Sequence, residues 1–206
     1  KYLTYLIEGH FMLNNNGLAT TWIESFILKG NSKDKFSILT STFTIIICSI
    51  LLIISAKIKV DLYTIPMTMQ PLAILIIAML CGRNLAACSI SLYLFQGMIG
   101  LPVFANGGGM LYLMGPTGGF LFGFLIAGII MGELADRGWG QHILKAFLAM
   151  LLGLFIIYFF GIIQLSLFLS FEKAILMMKL YMIGDFYKLL LATLLVPQIW
   201  KLTKKH

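Results

Sequence analysis

Between residues 65 and 104 the chain reads IPMTMQPLAILIIAMLCGRNLAACSISLYLFQGMIGLPVF. A helix of about 20 apolar residues crosses a bilayer core of about 30 Å, so this stretch is too long for one span and too apolar for a loop. Gly82, Arg83 and Asn84 interrupt it with a tight polar turn, and splitting it there predicts two shorter helices. Outward from this break, apolar runs at residues 37–56, 120–135, 146–169 and 180–200 each approach membrane length. The expectation is an all-α integral membrane protein: six transmembrane helices within residues 37–206, preceded by a polar tail at 1–36.

Composition agrees. Of 206 residues, 60% are hydrophobic and 11% charged, well outside the range of a soluble domain. The 15 Lys and Arg outnumber the 8 Asp and Glu, but most lie between or beside the apolar blocks, as orientation signals do. There is no basic face with interleaved aromatics, which argues against nucleic acid as a partner. Cys48, Cys81 and Cys88 are odd in number and embedded in apolar sequence, so they read as small hydrophobes and not as a disulfide framework or a metal site.

With the N-terminus inside, the inner loops and tails collect nine basic residues, among them Arg83, Arg137, Lys145 and Lys201. Only Lys57, Lys59, Lys173 and Lys179 fall outside, so both termini are expected on the cytoplasmic side. In the tail, Leu18, Trp22, Ile23, Phe26 and Ile27 make an apolar stripe at helical spacing; an interfacial helix and an unordered tail both fit it.

On this layout the loops at 57–70, 100–116 and 170–179 face outward. The last span, YMIGDFYKLLLATLL from Tyr181 to Leu195, carries Asp185 and Lys188 three residues apart, on one helical face with Tyr181. A helix starting near Lys179 would bury them roughly 9 Å and 13 Å below its outer end. An inert ion pair is one reading, yet two apolar residues would cost less in a membrane, and intramembrane charges mostly mark ligand or ion pathways. Two polar loops reach the same zone. IPMTMQP presents Thr68 and Gln70 between prolines that stop the flanking helices, and the glycine-rich stretch from Gly100 to Gly119 offers Asn106 and the bare backbone of Gly107 and Gly108. A carboxylate, an ammonium, amides and aromatic rings at one depth suit a small ligand with apolar parts and an anionic group.

Enzymatic readings lack their constellations. His10, His142 and His206 fall in the tail or inner loops, which removes a Ser-His arrangement and a histidine metal site within the membrane. An aspartyl protease needs paired carboxylates, and MIGD lacks the first glycine of a GxGD pattern. The glycine-rich stretch lacks the lysine of a P-loop, so active transport requires an ion gradient or a separate ATPase. Neither a catalytic activity nor a cofactor is expected. Gly115, Gly119, Gly123 and Ala127 form a small-residue stripe read as internal packing, ahead of an oligomer contact; a weaker one at Ser37 and Ser41 is a possible partner surface.

Four segments in order, IPMTMQPLAILIIAMLCG, LYLFQGMIGLPVFANGGG, MGPTGGFLFGFLIAG and GDFYKLLLA, give the chain from about Ser37 to Ile199 a specific resemblance. It resembles the BioY family, the biotin-specific substrate-binding S-components of energy-coupling-factor (ECF) transporters. The resemblance implies a six-helix fold in the bacterial cytoplasmic membrane that captures biotin from outside in a cavity covered by the loop between the first two helices. It also implies docking on a transmembrane coupling subunit with two ATPase subunits, and release of biotin by toppling; some members act alone or as oligomers. The family's GDxxK motif lands on Gly184, Asp185 and Lys188, its loop glutamine on Gln70, and its LYL tyrosine on Tyr93. Biotin's ureido N–H groups suit Asp185, while Lys188 either meets the valerate carboxylate or fixes the aspartate. Tyr93, Phe104 and Tyr181 are expected to line the apolar part, with Phe186 and Tyr187 against neighbouring helices. The sequence departs from the family in its long tail and in Pro71, where a small residue such as Thr is usual. Alternative readings are an S-component for another vitamin, a membrane enzyme acting on a small acid, and a purely structural subunit.

Overall fold

The computed structural model describes residues 35–62 and 65–204; of the expected tail at 1–36, residues 1–34 lie outside them and the last two open the first helix. The first helix, α1 (Lys35–Lys57), is built inside out relative to a soluble helix. Ser41, Cys48, Ser49, Leu52, Ser55 and Ala56 are buried along one stripe, while Leu39, Phe43, Ile47, Ile50 and Ile54 are exposed. Small and polar residues let neighbouring helices approach, and large apolar ones face lipid. Ser49 Oγ donates to Gln96 Oε1 at 2.9 Å, and Cys48 Sγ lies 3.7 Å from Cys81 Sγ, so α1 is tied to both halves of the next helix.

Between them stand two short antiparallel strands, β1 (Lys59–Leu62) and β2 (Ile65–Thr68), with Val60 opposite Met67 and Asp61 opposite Pro66. This hairpin forms most of the outward loop expected at 57–70. Proline is tolerated because a two-stranded ribbon consists of edges only. Pro71 does not end a helix either; it sits in the first turn of α2 (Gln70–Met98), where its missing N–H has no intrahelical partner to lose.

The expected turn at Cys81–Asn84 is a reversal inside α2. Gly82 has φ 76° and ψ 179°, a conformation open to glycine. Gln70 Nε2 donates to Tyr93 Oη at 2.8 Å, although 23 residues of straight helix would hold them about 35 Å apart. The arms 70–81 and 83–98 therefore run antiparallel. The reversal is held by the end of α4 (Gly118–Asp136), where Asp136 accepts from the Arg83 N–H at 3.1 Å and Glu133 pairs with Arg83 and Arg137.

A short helix, α3 (Met110–Met114), precedes α4, and a 3-10 turn (Trp139–Gln141) leads to α5 (Ile143–Ser166) and α6 (Phe171–Lys204). The small-residue stripe packs internally: a Cβ on Gly119 would stand 2.3 Å from the Phe160 carbonyl oxygen, and one on Gly123 2.9 Å from Ile157 Cα, so α4 and α5 meet almost backbone to backbone. Among the described residues five helices are long and apolar enough to cross a membrane, and α2, one of them, turns back on itself to give two arms, the architecture of a multi-pass membrane protein.

The start of the last helix differs from expectation. Residues 171–179, read above as an outer loop, are its first turns, because FEKAILMMK is rich in good helix formers and packs Ala174 and Met178 against Leu165. Asp185 and Lys188 consequently lie about 21 Å and 26 Å from the helix start, farther along the helix than a start near Lys179 would put them.

Candidate functional site

The buried charges of α6 form the centre of a polar network. Lys188 Nζ donates to Asp185 Oδ1 at 2.6 Å and to the Thr68 carbonyl at 2.7 Å. Tyr158 Oη on α5 donates to the other carboxylate oxygen at 2.6 Å. Asp185 and Lys188 are 7% and 9% exposed, so each charge depends on these partners; losing one would leave the other uncompensated in low dielectric.

Thr68, the last residue of β2, joins this network to a second group. Its hydroxyl donates to Gln70 Oε1 and accepts from the Gln70 N–H, both at 3.3 Å, and Gln70 Nε2 reaches Tyr93. Tyr93 meets Phe104 edge-on at 5.4 Å, and Phe104 stacks on Tyr112 at 5.0 Å. Residues from α5, α6, β2, both arms of α2, the following loop and α3 are thus linked. Beside this chain lies a small open pocket lined by Thr68, Gln70, Phe104, Tyr112, Phe120 and Phe124 among others. A few polar groups, Thr68, Gln70 and Thr117, stand among aromatic rings in this lining, the mixture usual in a small-molecule site.

The structure brings Asp185, Lys188, Gln70 and Tyr93 into one network. Tyr181 is buried one turn from Asp185, in a cluster with Leu165, Ala174 and Met178 against which Met67 and Phe120 pack. Asn106, Gly107 and Gly108 lie at the rim. Asn106 Oδ1 accepts from Lys59 Nζ, joining the loop to β1. Gly107 (φ 142°) exchanges backbone hydrogen bonds with Phe104, the Gly109 N–H bonds the Gly97 carbonyl, and a Cβ on Gly108 would stand 2.0 Å from the Leu101 oxygen. These glycines shape a loop folded on itself, and the N–H groups of Gly107 and Gly109 are spent within it. Phe186 and Tyr187 are exposed on the outer face of α6 instead of packing against neighbours.

Tyr158 was missed. Its only sequence signal is a phenol in the middle of LFIIYFFGIIQ, and rings in membrane helices are common. Gln164 in the same helix was also missed; its amide donates to the carbonyls of Leu113 and Gly115 at 3.0 and 2.6 Å, fixing α3 and the start of α4 beside the pocket.

Comparison with known proteins places this arrangement among relatives. The model of the BioY family matches residues 30–205. A protein of Thermotoga maritima named biotin transporter BioY is 33% identical over 156 residues, 74% of this chain and 90% of the relative. One of Pyrococcus horikoshii named probable biotin transporter BioY is 32% identical over 148 residues, 71% of this chain and 87% of the relative. The fold superposes with a TM-score of 0.73 on a crystal structure of the S-component for biotin from an ECF-type ABC transporter, at 21% identity over 82% of this chain and 95% of that one. With the match running almost end to end through the helices that carry Gln70, Tyr93, Asp185 and Lys188, the chain belongs to the BioY family.

Proposed function

We propose that the chain binds biotin and carries it across the cytoplasmic membrane as the substrate-specific subunit of an ECF-type transporter, without chemistry of its own. Family membership supports the substrate; the observation in this molecule that carries the reading is the buried Asp185–Lys188 pair bonded to Thr68 at the pocket wall. A ureido group has one carbonyl acceptor and two N–H donors. Its carbonyl takes the place of the Thr68 carbonyl on Lys188 and an N–H bonds Asp185, so entry exchanges one hydrogen bond of Lys188 for another and frees the Thr68 carbonyl together with the hairpin that carries it. The thioether ring then meets Phe104, Tyr112 and Phe120. The β1–β2 hairpin, which holds Thr68, is the element that moves to admit the ligand.

Both termini face the cytoplasm in this reading, with the site end outward, and a transmembrane coupling subunit with two ATPases supplies the energy. The test is thermal unfolding of the detergent-purified chain with biotin and a panel of other vitamins. Ligand at about 100-fold over its dissociation constant stabilises by about 2.7 kcal/mol. A shift with biotin alone, and biotin recovered unchanged, is expected; a shift with another vitamin or turnover of biotin overturns the assignment.

A further inference from the structure

We infer that Lys57 and Lys59, at the mouth of the pocket, hold the ligand's carboxylate and make the site selective for an acid over its neutral derivatives. The inference rests on the biotin reading and assigns the end of the ligand for which Lys188 is unsuited. Lys188 is buried and already bonded to the Asp185 carboxylate. A second carboxylate there would crowd two anions around one ammonium in a desolvated site, which raises the cost of both. The anionic end needs a different cation.

Two are bonded to the segment 104–106, whose first two residues line the pocket. Lys57 Nζ donates to the Phe104 carbonyl at 2.6 Å, and Lys59 Nζ donates to Asn106 Oδ1 and, at 2.9 Å, to Asp61 Oδ1. Phe104 and the adjoining Ala105 line the pocket, so both ammoniums rest on the segment that forms its edge. Phe104 and Asn106 are neutral acceptors. Asp61 is a charged one, but its side chain is 67% exposed, and an ion pair so placed is weak and readily exchanged. Among the described residues, two cations against one exposed acid make this corner positive. A carboxylate emerging past Phe104 replaces neutral acceptors with a charged one, adding Coulombic attraction between opposite charges to bonds whose donors are already ionised. Lys57 ends α1 and Lys59 begins β1, so a ligand held by both also fixes the root of the hairpin over the pocket.

The experiment compares equilibrium binding of biotin and biotinamide, which keeps the ureido and thioether rings but has a neutral carboxamide. Wild-type protein and the double variant Lys57→Gln/Lys59→Gln are measured at low and high salt. Wild type is expected to prefer the acid about tenfold or more, with the preference shrinking as salt rises. In the double variant biotin weakens to the level of the amide, whose own affinity stays within about twofold; retained amide binding shows that the variant is folded. Equal loss of both ligands would reduce the lysines to a latch and overturn the inference. So would a wild type without preference at either salt, a reading that needs no variant, or loss of the preference in Lys179→Ala instead. A wild type that binds neither compound defeats the biotin reading itself, a distinct result that takes this inference with it.

Discussion

Asp185 receives one hydrogen bond from a phenol and one from an ammonium, each 2.6 Å long, inside a membrane-spanning bundle. The phenol belongs to Tyr158, whose ring packs edge-on against Phe120 at 6.5 Å and whose hydroxyl holds the carboxylate in place. Tyr158→Phe removes that bond and leaves the ring. Hydrogen bonds to charged groups are worth about 1.5–3 kcal/mol, so the expected result is biotin binding weaker by about one to two decades by calorimetry, with the fold retained. Unchanged affinity would mean that Asp185 is not oriented for a ligand. At this scale the GDxxK pair was legible from charge in an apolar run, since such residues are costly enough to need a reason. Tyr158 was not, because a tyrosine in a membrane helix costs little and its partner lies 27 residues away.

The elements divide the same way. Apolar length and the polar break at Gly82 showed the spans, because hydrocarbon thickness and glycine stereochemistry act locally. The β1–β2 ribbon was hidden by Pro66, which reads as a breaker until the strand is known to have a single partner. The first turns of α6 were hidden because hydropathy registers the lysines at 173 and 179 and not the packing of Ala174 and Met178. The pairing of α1 with α2 is open to direct test. Cys48 and Cys81 have sulfurs 3.7 Å apart, whereas Cys88 is exposed on another face. Treatment with a copper–phenanthroline oxidant is expected to link Cys48 to Cys81, read as a cross-linked peptide by mass spectrometry. A link through Cys88, or none under conditions that oxidise exposed thiols, would contradict this helix arrangement.

As a whole the molecule has two unlike ends. One carries the hairpin, the glycine-rich loop and the pocket; the other carries the α2 reversal and the Arg83–Glu133–Arg137 cluster. Outward exposure of the first end is what an importer needs to capture a scarce ligand. In a Cys88→Ser background, a membrane-impermeant maleimide on intact cells is expected to label Asp61→Cys and spare Arg137→Cys, both positions having well-exposed side chains. The reverse pattern would invert the topology. Most directly at stake is whether the buried pair is a binding site or only a tolerated ion pair. The deciding measurement is the biotin dissociation constant of Asp185→Asn, determined beside wild type with a thermal melt of each. Loss of about two decades or more of affinity in a folded variant is the predicted result, since the amide no longer offers a carboxylate to the ureido N–H groups. Wild-type affinity in Asp185→Asn, with only the melting temperature changed, would show that the pair serves structure alone.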